Sequence, residues 1–209
     1  MKRKGIFITF EGPEGSGKST VIKAAARFFR RMGFSVLLLR EPGGTAISEA
    51  IRQILLDRKN LHMTVETELF LYLAARAQIV REKILPALSM GKVVICDRYH
   101  DSTAAYQGFA GGISVSLIDA YGKLAKAGLE PDLTFVLDVE TKKGLKRAGR
   151  TDRMENKSLA FHRRVRQGFL QLAKKYPKRI LVLKDEKNIQ HKVAKLEGLL
   201  SRLFSGVSK

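Results

Sequence analysis

Few residue types in a fixed order are needed to hold a polyphosphate, and one stretch of this chain has them. Gly12-Pro13-Glu14-Gly15-Ser16-Gly17-Lys18-Ser19 fits G-x-x-x-x-G-K-[ST], and Thr20 adds a further hydroxyl. Glycines let backbone N–H groups turn inward around phosphate oxygens, the lysine reaches the β- and γ-oxygens, and the hydroxyl residue ligates Mg²⁺. Such a site needs an acid at the end of a nearby strand to organise the metal or its waters. Two apolar runs end that way, Val93 to Asp97 and Leu133 to Asp138. Asp97 is the stronger candidate, because Arg98 follows it and sets a fork of donors beside the metal position. For Asp138 a helix cap is the better reading. His62, His100, His162 and His191 show no metal-ligand spacing, and no Cys-His or Ser-His arrangement suggests a nucleophile. Transfer onto a phosphate acceptor would not need one, since a phosphate is largely dianionic at neutral pH. Positioning and charge neutralisation by arginine, lysine and Mg²⁺ then suffice.

The elements that must position these groups are legible in order. Ile6 to Phe10 reads as a buried strand, and Val21, Ala24, Ala25, Phe28, Phe29 and Met32 recur at helical spacing behind the loop. The helix start adds its positive dipole end to the same anion site. Further strands are expected at Ser35 to Leu39, Lys92 to Cys96, Leu133 to Leu137 and Ile180 to Leu183. A helical stripe runs from Ile47 to Leu55, and a long helix from Thr67 to Ala87, which Pro86 should kink or end. Ser102 to Gly112 reads as a short helix plus a loop, Val115 to Ala127 as a helix, and Ile189 to Leu203 as an amphipathic closing helix. Strand and helix alternate, so the expectation is an α/β fold with a parallel sheet of about five strands and helices on both faces.

The 209 residues suit one domain, with room for a small lid at about 142–156. Lysine and arginine number 39 against 20 acids, a formal charge of +19, which favours anionic ligands. Ten of these cations fall between Lys142 and Arg166, against only Asp152 and Glu155. The single cysteine, Cys96, lies in an apolar run and reads as a buried hydrophobe, which points to an intracellular, cytoplasmic protein. No run approaches the roughly 20 apolar residues that span a bilayer. The basic cluster lacks the interleaved aromatics of a nucleic-acid binder, and a nucleic-acid partner is not expected.

The P-loop with Glu14, the loop Arg40-Glu41-Pro42-Gly43-Gly44-Thr45, Tyr72 to Gln78, Asp97-Arg98-Tyr99, Ala105-Tyr106-Gln107-Gly108 and the segment Arg147 to Glu155 together resemble bacterial thymidylate kinases, in order and over nearly the whole chain. The resemblance implies a P-loop kinase of three layers with a lid, transfer of a phosphoryl group from Mg·ATP to dTMP, and a homodimer. It implies ATP contacts from Gly12, Pro13, Glu14, Gly15, Ser16, Gly17, Lys18, Ser19 and Thr20, with Mg²⁺ at Ser19 and Asp97. For dTMP it implies Glu14 facing the 3′-hydroxyl and Arg40 and Arg98 on the phosphate, with Glu41 in the same loop. Tyr72 would stack on thymine, Arg76 would donate to a base carbonyl, and Thr103 and Gln107 would meet the base edge. Tyr106 would crowd the 2′ position, and Arg52 would lie near base and lid. One branch of the family carries a transition-state arginine inside the P-loop; here Glu14-Gly15-Ser16 has none, so the lid arginines Arg147, Arg150 and Arg153, spaced for one helical side, are expected to join Lys18 and Arg98 in catalysis. A kinase for another monophosphate or a deoxynucleoside, and a nucleic-acid-binding P-loop ATPase, are the alternatives.

Overall fold

Short apolar runs become five strands: β1 Ile6–Glu11, β2 Val36–Arg40, β3 Val93–Asp97, β4 Leu133–Leu137 and β5 Ile180–Leu183. The structure is a computed structural model that describes residues 5–149, 152–186 and 188–205. The strands pair in the order β2-β3-β1-β4-β5 and every pairing is parallel. Parallel neighbours cannot be joined by a tight turn, so each connection crosses a face of the sheet with a helix. Alternation along β1 shows the result. Ile8 and Phe10 enter a core shared with α1 (Lys18–Arg31) and α9 (Ile189–Phe204), whereas Phe7 enters one on the opposite face with Ile79, Val80 and Ile84. On that second face Val136 of β4 also meets Phe161, Val165 and Phe169 of α8 (Leu159–Lys175). The expected α/β, three-layer sheet is therefore what the chain forms.

In register, Asp97 lies beside both Phe10 and Arg40, so β1, β2 and β3 end level and deliver Glu11, Arg40 and Asp97 to one edge. Both α2 (Ala46–Leu56) and α3 (Val65–Ile79) begin with threonine caps: Thr45 Oγ1 accepts from the Ser48 N–H and Thr64 Oγ1 from the Thr67 N–H. The chain does not stop at Pro86. It widens into π-helical turns over Val80–Ile84 and continues as α4 (Leu85–Ser89), with Pro86, which has no N–H to donate, in the first turn of that last segment. The stretch expected to be a short helix plus a loop is helical for longer: α5 (His100–Thr103) runs into π-helical turns over Ala104–Ala110, nearly all of it buried, and only then turns into α6 (Val115–Ala125). Asp138 is not the cap of the next helix. Its carboxylate takes two bonds from Arg166, at 2.6 and 2.8 Å, and Glu140 caps α7 (Thr141–Ala148) by accepting from the Lys142 and Lys143 N–H groups.

Candidate active site

Between β1 and α1 the glycines do what no larger residue could. Gly12 has φ +131° and a Cβ there would lie 2.4 Å from the Leu137 carbonyl oxygen; Gly15 has φ +63° and its Cβ would lie 2.0 Å from that of Gly144. The loop is thus pressed against β4 on one side and α7 on the other. Gly17 starts α1 with no side-chain cap, and no acid occupies the first turn, so the positive end of the helix is left for an anion. Gly15 through Thr20 line a cleft of about 630 Å³. Lys18 is buried beneath it, and Nζ donates to the carbonyls of Gly12 at 3.2 Å and Pro13 at 3.1 Å. Burial and the Arg98 charge lower its pKa, a cost that a polyphosphate would offset.

Facing the loop stands Arg98, held in the left-handed region at φ +70°, an uncommon conformation for an arginine. Its N–H donates to Phe10 O at 2.9 Å. Below it, buried Glu11 accepts from the Tyr99 N–H at 2.7 Å and from Ser102 Oγ at 2.5 Å, which ties the β1 and β3 ends together. Burial pushes the Glu11 pKa up to about 8, with Asp101 adding to the push against the Ser102 bond and the Arg98 charge. The Arg98 guanidinium donates to Gly12 O and Ser102 Oγ, both at 3.1 Å, to Glu14 Oε1 at 2.8 Å and to Tyr106 Oη at 3.2 Å. Tyr106 donates in turn to Glu14 at 2.6 Å. Burial alone would raise the Glu14 carboxyl, but the charges of Arg98 and Lys18 outweigh it and hold its pKa at about 2. The Glu14 carboxylate of the loop is therefore preorganised with a guanidinium and a phenol from the β3 side of the cleft.

The far wall is a row of buried polar pairs. Arg76 donates from Nε to Glu41 Oε2 at 2.7 Å and from Nη1 to Thr103 Oγ1 at 2.9 Å, and lies over the Tyr99 ring. Gln107 donates to Glu68 Oε1 at 2.7 Å. Half-buried Tyr72 shares the cleft with Arg40 and Arg52. Both arginines donate to Pro42 O, Arg40 at 3.0 Å and Arg52 at 2.9 Å, and Arg40 also pairs with Glu49 at 3.0 Å. At the β3 end, Asp97 Oδ1 is buried with no hydrogen-bond partner among the described residues, and Ser16 Oγ likewise. No cluster of three or more His, Cys, Asp or Glu suited to a metal occurs among them. One carboxylate with the exposed Ser19 hydroxyl fits Mg²⁺, which keeps several waters and takes its other oxygens from phosphates.

The thymidylate kinase family model matches residues 10–196. The chain belongs to the thymidylate kinase family. It is 45% identical to the thymidylate kinase of Geotalea uraniireducens (strain Rf4) over 212 residues, covering 97% of this chain and 100% of that one. It is 48% identical to that of Syntrophotalea carbinolica (strain DSM 2380 / NBRC 103641 / GraBd1) over 186 residues, 85% and 86% of the two chains. The crystal structure of thymidylate kinase from Ehrlichia chaffeensis superposes with a TM-score of 0.77 at 34% identity, covering 96% of this chain and 98% of that one.

Against this family background the three arginines expected in a lid part company. Arg147, on α7, lines the cleft and lies 3.7 Å from Asp185. Arg150 lies outside the described residues. Arg153 departs from the expectation: α7 ends at Gly149, left-handed at φ +87°, so the helical face that would have carried all three is gone. The chain turns Arg153 inward, where Nε donates to Leu55 O at 2.8 Å and Nη2 pairs with Glu68 at 2.6 Å. Its side chain is 3% exposed and does not line the cleft. Gly12 and Pro13 also do not line it; they present their carbonyls to Lys18.

Several contributors in this thymidylate kinase fold were not singled out by sequence. Glu11, Ser102 and Glu68 act only through partners brought by the fold. Lys192 had a visible signal, standing three residues beyond Ile189 on the core side of α9; buried, it donates to Ser16 O at 3.1 Å and pairs with Asp185 at 3.2 Å, bracing the loop from behind. Among the described residues no helix is long and apolar enough to cross a membrane.

Proposed function

We propose that the protein transfers the γ-phosphoryl group of Mg·ATP to the phosphate of dTMP, giving dTDP and ADP. The observation that carries this reading is the single cleft joining an uncapped helix start with its buried lysine to the Arg98–Glu14–Tyr106 cluster and the Arg76–Thr103 wall. An oxygen of the acceptor phosphate attacks the γ-phosphorus, the bond to the β,γ-bridging oxygen breaks, and ADP departs with that electron pair. Lys18 would exchange the two loop carbonyls for β- and γ-oxygens. Arg98, fixed by four acceptors, would take the acceptor phosphate in a fork, and Arg40 would join it. Because Glu14 remains ionised, it would accept from the sugar 3′-hydroxyl, not act as an acid. Tyr72, Arg76, Thr103 and Gln107 would meet the base, Tyr106 the 2′ side, and Arg52 the base and lid. Asp97 and Ser19 would hold Mg²⁺, which supplies charge neutralisation and orientation of the phosphates. Of the lid residues, Arg147 is the one supported by its place on the cleft as the donor to the transferring group.

The reading includes a cytoplasmic homodimer. Phe70 of α3 and Leu117, Tyr121 and Leu124 of α6 are all about half exposed or more, with the Phe70 and Tyr121 rings 5.7 Å apart, an apolar face on adjacent helices of the kind a second copy would cover. Replacing Phe70 and Leu124 by glutamate should leave a monomer in sedimentation equilibrium; an unchanged species would remove the assignment. The activity itself is tested by ADP release with dTMP, dUMP, dCMP, UMP and thymidine at saturating Mg·ATP. dTMP should give the highest kcat/KM, and absence of turnover with every monophosphate would sink the proposal.

A further inference from the structure

Behind the acceptor wall, and used by none of this chemistry, lies a second cleft of about 740 Å³. Its size is in the range that small-molecule sites occupy and matches the substrate cleft of about 630 Å³. The cleft is cationic in a specific way. Its three acids are each engaged: Asp101 by the two Nη groups of Arg179 at 2.6 and 2.8 Å, Asp119 by His100 Nε2 at 2.9 Å, and Glu130 by Lys126. Lys123 and Lys178 line the same cleft, are exposed, and have no ion-pair partner among the described residues, while Lys175, also exposed on its lining, lies over the Tyr176 ring at 5.0 Å and feels the Asp119 charge. Ammonium groups around a cavity whose acids are already paired suit phosphate oxygens.

A second observation lies in the wall. His100 is 6% exposed, and its Nδ1 is buried with no hydrogen-bond partner among the described residues. The ring is packed against Gly122, where a Cβ would meet Cε1 at 2.1 Å, so the side chain has little room to turn towards another protein group. With Nε2 committed to Asp119, Nδ1 is an acceptor lacking a donor, the role a ligand hydroxyl fills. Phosphates on the lysines and a sugar hydroxyl near His100 together describe a nucleotide.

The same short segment serves both clefts. Arg98, Ser102 and Thr103 face the substrates, while His100 and Asp101 face the second cleft. Arg179 also donates to Thr134 Oγ1 at 2.9 Å, which bonds Thr9 of the P-loop strand at 2.7 Å. We infer that this cleft is a second ligand site, for a phosphate-bearing anion of nucleotide size, and that its occupancy is felt at the acceptor pocket through residues 98–103. By linkage the effect is reciprocal: dTMP binding changes the affinity of the second site by the same factor.

The test blocks the substrate cleft with an adenosine–thymidine pentaphosphate, verified by loss of ADP release, and titrates the blocked protein with fluorescent N-methylanthraniloyl-dTTP. One saturable site per chain is expected, weakened at least tenfold in the Lys123→Ala/Lys175→Ala/Lys178→Ala variant, whose turnover without dTTP stays at wild type. Inorganic pyrophosphate, as the competitor, should displace the probe at least tenfold less well than unlabelled dTTP. In the unblocked enzyme, dTTP should shift the dTMP KM more in the wild type than in the triple variant. No binding to the blocked wild type, or equal binding to the variant, would overturn the site; equal competition by pyrophosphate would overturn its nucleotide character, and equal KM shifts its link to the acceptor pocket.

Discussion

Replacing Arg153 separates two accounts of the lid. If the arginine met the transferring phosphoryl group, Arg153→Ala would lower kcat with the fold unharmed. The structure leads to another outcome. Both side chains of the Arg153–Glu68 pair are nearly inaccessible, 3% and 4% exposed at 2.6 Å, and removing one partner of such a pair strands the other charge, at a cost of about 3–5 kcal/mol. For a chain of this length each kcal/mol moves Tm by about 2–4 °C, so a fall of roughly 6–20 °C is expected by calorimetry. Glu68 also takes the Gln107 amide, so its displacement should be felt at the base wall: the dTMP KM rises several-fold while kcat stays within about twofold. The paired replacement Arg153→Met with Glu68→Gln, which strands no charge, should recover most of the lost stability, because buried ion pairs exchanged whole are often near neutral. Coupled ADP-release kinetics read the catalytic half. If Arg153→Ala kept the wild-type Tm and lost kcat alone, the buried-brace account would be refuted.

Lys18→Met, which fits the same buried channel, should abolish turnover while leaving the circular dichroism spectrum and Tm close to wild type; retained turnover would remove the central assignment. Glu14 has a depressed pKa, about 2 against 4.5, so its charge contributes stability that is fully present above pH 4.5 and disappears as pH falls towards 2. A shift of that size corresponds to about 3 kcal/mol, and urea titrations should show Glu14→Gln losing less stability than the wild type over that window. Gly144→Ala would place a methyl 2.4 Å from Glu14 O, so it should displace the P-loop and lower kcat at least tenfold; a fully active variant would deny the loop's close seating on α7. Chelation with EDTA should stop turnover and added Mg²⁺ restore it, with dTMP binding by calorimetry changed little throughout.

What could be read in the sequence was what neighbours in sequence decide. The P-loop, the alternation of strand and helix, and Asp97-Arg98 at a strand end depend on adjacent residues, and they stand where the pattern puts them. Arg153 shows where this fails. A spacing of three means one helical face only while the helix lasts, and Gly149, a residue suited to the left-handed position that ends helices, breaks it before Arg153 is reached. Asp138 and Glu140 show the same sensitivity, since two acids beside a helix start compete for one capping role and Arg166, distant in sequence, decides between them. Glu11 is the clearest case of information absent from local pattern. An acid ending an apolar strand has an ordinary solvated reading, and only the arrival of Tyr99 and Ser102 turns it into the anchor of the Arg98 loop.

The strand order has a consequence for how such an enzyme can change its diet. Because β1 is central, with β3 on one side and β4 on the other, the chain leaves the phosphate loop, builds Arg40, Glu41, Arg52, Tyr72 and Arg76 on an excursion over β2, α2 and α3, and returns to β1's side through β3. The donor loop is seated instead against β4, α7 and α9, through Gly12, Gly15 and Lys192. On the proposed reading, about half of the acceptor contacts form a cassette between residues 40 and 79, hung from two strands that also carry the phosphoryl machinery, while Glu14, Arg98, Thr103, Tyr106 and Gln107 lie outside it. Exchanging that cassette for one shaped to a different base would leave the transfer apparatus in register, so new monophosphate preferences can arise without rebuilding the chemistry.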